Sequence, residues 1–298
     1  MNDRKLNQLL NHIRTAIPDI QIHSSQIMNT GETNDVLLVN TDRIFRFPRL
    51  PKDTARLKQE YELLTSLRGQ LPLPTPNPIY HHLDADTHRF MEYAVLSGEP
   101  LSKYIKQAKA YMKPIAVQLA DFVLALHQVP VDNIVLPIQN VGRNESLPEF
   151  FRTIQAVLFP HLAEEAQRQV SQIFADSINL PDIEPDKLIV RHGDLGPNNI
   201  LINPKTLHLT GIIDFGSAGL DEPASDLGHI AFWGTLNFGQ EFVKAFLNHY
   251  GTDGALRERT QLYSTLIACI VALGDLEDES GQALQAALRY LSLPVFYQ

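Results

Sequence analysis

The chain has 298 residues, 44% of them apolar, and a formal net charge of -9. That length supports two lobes of one enzyme with a sizeable core, and the acidic balance argues against nucleic acid as a partner, because a phosphate backbone needs a basic face. The one cysteine, Cys269, sits in the apolar run Leu266 to Leu273 and allows neither an internal disulfide nor a cysteine zinc site.

Met1 to Pro18 is polar with scattered leucines, unlike a signal peptide, and no apolar run is long enough to span a bilayer, so a cytoplasmic protein without a membrane partner is expected. Leu6, Leu9, Leu10, Ile13 and Ile17 recur at helical spacing, so the chain opens with an amphipathic helix ending at Pro18. Strand-like segments follow at Gln21 to Met28, Asp35 to Asn40 and Arg43 to Phe47, with Asn, Thr, Gly and Asp in the turns. Lys52 to Leu67 reads as a helix with Leu57, Tyr61, Leu64 and Leu67 on one face. Pro72, Pro74, Pro76 and Pro78 then force an extended connection inside the first lobe, and strand-like sequence resumes at Ile79 and at Arg89 to Val95.

From Leu101 helices dominate: Pro114 to Val129, Leu147 to Leu158, Leu162 to Phe174, Phe238 to Tyr250, Leu256 to Leu273 and Gln282 to Leu291. The expected fold class is α+β, a protein-kinase-like bilobal arrangement with a small β-rich lobe over residues 1–95 and a larger helical lobe over residues 96–298.

The segment His192-Gly193-Asp194-Leu195-Gly196-Pro197-Asn198-Asn199 is followed by Ile212-Ile213-Asp214-Phe215-Gly216. An HxD with an asparagine five positions after the aspartate, then a DFG beyond one hairpin, is the residue set that phosphoryl transfer requires. Asp194 is the candidate catalytic residue, orienting an attacking hydroxyl and accepting its proton. Asn199 and Asp214 are hard oxygen donors suited to Mg2+. A hairpin is expected between them: a strand at Asn199 to Ile202, a turn at Asn203 to Thr206 and a strand at Leu207 to Ile213. The fold-back would bring Asn199 and Asp214 to one end.

In the first lobe, the loop Asn29 to Asp35 is a candidate phosphate cover, with Thr30, Gly31 and Thr33 as nucleotide contacts, although a single glycine in a hairpin turn is a weak signal. Arg46, flanked by apolar residues on a strand, is assigned to the phosphates with Glu60 as its partner. Glu62 competes for that role but lies about 200° around the helix, so only one of the two can face the arginine. The backbone carbonyl of Glu92 and N–H of Ala94 are candidates for the nucleotide base, and Ile213 beside Asp214 completes the set. His192 is expected to organise the catalytic loop. Asp226 is expected to stabilise that loop or cap a nearby helix, and His127 to sit at a helix end or in the core. Asp275, Glu277, Asp278 and Glu279 read first as a solvated acidic run, Phe232 and Trp233 as core aromatics, and the histidines at 81, 82 and 88 as no metal site.

HGDLGPNNIL, IIDFGSAGLDEPASDLG, IFRFPR, QEYELL and MEYAVLSGEPL together resemble the aminoglycoside phosphotransferase family over about Asn29 to Tyr250. The resemblance implies transfer of the terminal phosphate of ATP or GTP, with Mg2+, to a hydroxyl of a small molecule. Family acceptors include aminoglycosides, macrolides, choline-like alcohols, homoserine and sugars. Arg46 stands where the family usually carries lysine. The segment Phe238-Gly239-Gln240-Glu241-Phe242 is similar to a helix lining the antibiotic pocket in one subgroup, which makes Glu241, with Asp194, a candidate acceptor contact. The acidic charge is compatible with a cationic acceptor and equally with ordinary solubility. A metabolic kinase for a sugar, amino alcohol or homoserine, a macrolide phosphotransferase, and a non-catalytic nucleotide-binding pseudokinase stay open beside the aminoglycoside reading. A protein substrate is disfavoured, because no APE motif or long activation segment follows Asp214.

Overall fold

A computed structural model describes residues 3–28, 33–82, 89–132, 134–138, 147–177, 184, 187–278 and 282–294. Thr30 and Gly31 therefore lie outside the described residues, as do His88 and Glu279. By its internal packing the chain divides into two compact units, Met1–Gly98 with Thr210–Gly216 and Glu99–Leu209 with Ser217–Gln298. The elements are α+β: a sheet dominates the first unit and helices the second.

The first unit contains α1 (Asp3–Ala16), β1 (Ser25–Ile27), β2 (Asn34–Val39), β3 (Arg43–Pro48), α2 (Pro51–Ser66), β4 (Pro78–His81) and β5 (Met91–Ala94). The strands form one antiparallel sheet in the order β1-β2-β3-β5-β4. Strand side chains alternate between faces. Leu37, Val39, Phe45 and Phe47 point to one face, where they bury Leu9, Leu10 and Ile13 of α1 together with Phe90. Arg46 points to the other face, toward α2. Pro51 opens α2, and Asp53 completes its first turn by accepting the Leu50 N–H at 3.0 Å. The Ile212 N–H donates to the Pro74 carbonyl at 2.9 Å, which ties residues 210–216 to the proline-rich connection.

The strand expected over Gln21 to Met28 shrinks to Ser25–Ile27. Asn40, at φ 52°, explains the loss. Its side-chain amide donates to the Gln21 carbonyl at 2.5 Å and accepts from the N–H groups of His23 and Ser24, so that backbone is satisfied by one side chain instead of a ladder.

The second unit runs through β6 (Glu99–Pro100), α3 (Ile105–Ala108), α4 (Met112–His127), α5 (Leu147–Val157), α6 (Glu164–Ser177), β7 (Ile189–Arg191), β8 (Ile200–Ile202), β9 (Leu209–Ile212), β10 (Gly219–Asp221), α7 (Ala224–Phe238), α8 (Gln240–Tyr250), α9 (Gly254–Asp278) and α10 (Gln282–Leu291). The last three residues of β9 belong to the first unit. β7 pairs antiparallel with β10, and β6 with β8. α7 packs along α9 so closely that a Cβ on Gly228 would lie 2.6 Å from Tyr263 Cβ. α4 packs on α8. Cys269 is buried in α9 as a core residue. No described helix is long and apolar enough to cross a membrane.

Three expected elements of this unit begin two residues late, while the helix expected over Leu256 to Leu273 runs further, as α9, to Asp278. The helix expected from Phe238 starts at Gln240, because Gly239 (φ 91°) ends α7 with its N–H on the Gly234 and Thr235 carbonyls. The helix expected from Leu162 starts at Glu164, because the Gln167 side chain donates to the Phe159 and Leu162 carbonyls at 2.9 Å and fixes a turn there. The strand expected from Leu207 starts at Leu209. Leu207 sits at φ 58°, and Asn203 Oδ1 accepts the Lys205 and Thr206 N–H groups, so the turn extends further.

Candidate active site

In the first unit, Arg46 is the centre of a buried charge cluster. Its Nη1 donates to Glu60 Oε1 at 2.5 Å and its Nη2 to Asp214 Oδ1 at 3.2 Å. Helix phase decides between the two glutamates: Glu60 is buried on the sheet side of α2 and Glu62 is exposed. Burial works against the guanidinium charge, but Glu60, Tyr93 and Asp214 outweigh it, and Arg46 is held above its ordinary range. Burial raises Glu60 to about 7, with the Asp214 charge adding to it and Arg46 opposing both. Tyr93 lies one register step along the same sheet face, and burial pushes its phenol up to about 12 while the Arg46 charge pulls it down. Tyr93 escaped sequence reasoning, which considered only backbone groups at that segment. Gly216 leaves room for the cluster: a Cβ there would lie 3.3 Å from Asp214 Oδ1 and 3.4 Å from Arg46 Nη2.

Asp214 adopts φ 65°, the left-handed region, which costs a non-glycine residue about 1 kcal/mol. Its side chain is 49% exposed although one oxygen is held by Arg46. One cation between two carboxylates leaves a net negative charge on a half-exposed oxygen donor, which fits Mg2+. Ile213, beside it, is half-buried. Thr33 accepts the Asn34 amide at 3.1 Å through its hydroxyl, and its carbonyl accepts the Arg49 N–H. Glu92 is fully buried on β5 between β3 and β4, opposite Phe45 on one side and Tyr80 on the other, and its carboxylate takes Arg43 Nε at 2.5 Å. Ala94 is exposed at the end of β5.

In the second unit the loop after β7 carries Asp194 and Asn199. The Asn199 amide donates to the Asp194 carboxylate at 2.8 Å and to the Asp194 carbonyl at 2.9 Å. Both amide hydrogens are thereby used, which leaves Asn199 Oδ1 as the free acceptor, the donor type a magnesium ion takes. Among the described residues no cluster of three or more His, Cys, Asp or Glu side chains could hold a metal ion by itself.

The loop is held from beneath by Asp226 of α7. Its two carboxylate oxygens accept the His192 and Gly193 N–H groups, each at 2.8 Å, and one of them also takes His127 Nε2 at 3.2 Å. Tyr250 O–H and His127 Nδ1 meet at 2.8 Å, so the second ring nitrogen is engaged as well. Burial alone would raise Asp226, but the His127 hydrogen bond, the His127 and His192 charges and the Gly193 N–H hold it far below the ordinary carboxylate range. His192 Nδ1 accepts the Asp194 N–H at 3.2 Å, which realises its expected organising role. Asp221 and Glu222 are buried partners of Arg191 and Arg259. Gly193 has to be glycine: its φ is 84° and a Cβ would lie 2.3 Å from the Ser217 carbonyl oxygen.

Glu241 is exposed on α8 and pairs with Lys244 at 3.2 Å. Of the two aromatics read as core, Phe232 is fully buried, whereas Trp233 is half-buried with its indole against Gly196 of the catalytic loop. Asp275 is buried and accepts the Leu284 N–H, so it is structural. His229, which sequence reasoning passed over, stands on α7 between Asp226 and Trp233.

Residues 26–263 match the model of the family described as Phosphotransferase enzyme family. The chain is 25% identical over 226 residues to an aminoglycoside 3'-phosphotransferase of Streptomyces fradiae, an alignment covering 74% of this chain and 82% of that protein. It is similar to a solved GDP and kanamycin complex of APH(2")-IIia, at 26% identity and a TM-score of 0.75, covering 95% of this chain and 96% of that one. Macrolide 2'-phosphotransferase type I shares the fold at 19% identity and a TM-score of 0.67, with 99% of each chain covered.

Proposed function

The chain belongs to the phosphotransferase enzyme family, and from that premise we propose that it moves the terminal phosphoryl group of ATP or GTP onto a hydroxyl of an aminoglycoside-type antibiotic. The enzyme class, an alcohol-acceptor phosphotransferase, follows from the family and its relatives. The observation that carries the mechanism is the Asp194 carboxylate, half-exposed, fixed by the Asn199 amide at 2.8 Å, on a loop whose N–H groups are tied to Asp226.

We assign the nucleotide to the first unit and the acceptor to the second. Arg46, clamped by Glu60, presents a permanent positive charge to the phosphates. Thr33 would cover them, together with Thr30 and Gly31, which lie outside the described residues, and the Glu92 carbonyl, Ala94 N–H and Ile213 are assigned to the base side. Asn199 of the second unit and Asp214 of the first would each offer an oxygen donor to Mg2+, which when bound would neutralise charge on the phosphates. Asp194 orients the acceptor hydroxyl and takes its proton as the new O–P bond forms. Positioning and electrostatics supply most of the rate, with base catalysis adding about 10² to 10⁴-fold. An aminoglycoside is favoured because the Streptomyces relatives are aminoglycoside 3'-phosphotransferases and because a chain with net charge -9 attracts a polycationic acceptor. The site of action is the cytoplasm, where nucleotide is abundant.

The test is transfer of labelled phosphate from ATP and from GTP, with magnesium, to kanamycin, gentamicin, streptomycin, a macrolide and a set of small metabolic alcohols. Labelling of an aminoglycoside that disappears in Asp194→Asn is the expected result. Labelling confined to a macrolide or to a metabolic alcohol would overturn the assigned acceptor. Nucleotide binding without transfer to any of them would support a binding module.

A further inference from the structure

One face of α7 follows the catalytic loop. At about 100° per residue, Asp226, His229, Ile230, Trp233 and Asn237 fall within an arc of about 100°. Contacts at both ends fix that face against the loop: Asp226 holds the His192 and Gly193 N–H groups, and Trp233 Nε1 would be 3.4 Å from a Cβ on Gly196. Ile230, Trp233 and Asn237 also line a small apolar recess with Leu195 and Pro197. The opposite side of α7 is locked on α9 through Gly228, so the helix cannot rotate away. His229 is on that face between the two contacts, and Asp226 and Asp194 are the anionic groups whose charges act on it.

The state of the ring supports a role there. His229 is half-buried as a residue, yet its Nδ1 is fully buried with no hydrogen-bond partner. An orphaned N–H is rarer than an orphaned acceptor, so the bare nitrogen belongs at Nδ1 and the proton at Nε2, on the other edge of the ring. Burial keeps the imidazole neutral, lowering it to about 4 although Asp226 and Asp194 pull the other way.

We propose that His229 is an acceptor-positioning residue, donating from Nε2–H to the oxygen of the hydroxyl that Asp194 deprotonates. This deepens the acceptor assignment above and rests on it. A hydroxyl has one hydrogen and two lone pairs. The hydrogen passes to Asp194, and one lone pair forms the bond to phosphorus as the phosphorus–oxygen bond to the nucleoside diphosphate breaks. The second lone pair is left for a donor, and a neutral histidine supplies one without adding a charge that would pair with Asp194 and weaken it as a base.

The experiment compares wild type, His229→Leu and His229→Gln, using the aminoglycoside that wild type labels fastest. kcat/KM for the acceptor, KM for the nucleotide and thermal midpoint are measured for each. Leucine is expected to lower acceptor kcat/KM about tenfold with nucleotide KM unchanged, and glutamine, whose amide keeps a donor, to recover most of it. Two results overturn the inference alone: a leucine variant as active as wild type, or leucine and glutamine variants equally impaired with matching losses in thermal midpoint. A wild type that labels no aminoglycoside overturns the acceptor assignment itself, and the inference with it.

Discussion

Arg46 and Glu60 face each other across 2.5 Å with both side chains almost fully buried, on the face of the sheet turned away from its apolar core. A forked guanidinium is needed there because it reaches Asp214 as well as Glu60. A lysine ammonium cannot reproduce two directed bonds from one planar group. Arg46→Lys is therefore expected to weaken nucleotide binding about tenfold, read by titration with ATP and GTP, the loss of one charge-assisted bond. Glu60→Ala, which removes the main partner of a buried cation, is expected to destabilise the protein by about 3 kcal/mol in denaturant unfolding.

Asp194→Asn should cut turnover by about 10² to 10⁴-fold while leaving nucleotide affinity close to wild type, since the change removes the base and not a phosphate contact. Steady-state transfer together with nucleotide titration checks both halves. Wild-type turnover in this variant would remove Asp194 from its assigned role.

Asp226→Asn should destabilise the protein by about 3 kcal/mol at pH 7, because the carboxylate accepts two backbone N–H groups and a histidine in a fully buried place. Its folded-state pKa is depressed, so this stabilisation is present above the unfolded value of about 3.9 and is lost as pH falls toward the folded one. The gap between wild type and Asp226→Asn in denaturant melts should be full at pH 7 and should close steadily below about pH 4.

Two glycines with positive φ separate steric from conformational cost. Gly193→Ala meets the Ser217 carbonyl at 2.3 Å and should lose about 3 kcal/mol or more, along with transfer activity. Gly239→Ala has nothing within 4 Å and so meets no clash, but φ 91° with ψ 175° is a backbone region essentially reserved for glycine, so it should cost about 2 kcal/mol of purely conformational strain, with activity kept. Thermal melts and transfer rates of the two variants test the contrast.

The readable parts of this chain were those where chemistry demands a local pattern. Asp194, Asn199 and Asp214 could be picked out because their order and spacing are those phosphoryl transfer requires, and the choice between Glu60 and Glu62 needed only helix phase. α7 was legible only as a helix beginning near Asp226 and not in its extent, because it is buried nearly all round and shows no polar face to mark a period of 3.6. His127 was legible only as a helix-end or core residue, since its bonds to Asp226 and Tyr250 join positions about a hundred residues apart. Tyr93 and His229 carry no local signal either, because what gives each its meaning is a charged neighbour from a distant segment. The shortened first strand follows from Asn40, whose one amide replaces a run of ladder bonds.

Asp226 has a consequence for how such an enzyme can diversify. It is fully buried, so no ligand reaches it, yet it sets the backbone of the loop that does the chemistry. The half-exposed side chains further along α7 can be exchanged without disturbing that anchor. On the proposed roles, reactivity and taste for the acceptor are separable traits, and a lineage can change what it modifies while the loop carrying Asp194 stays still.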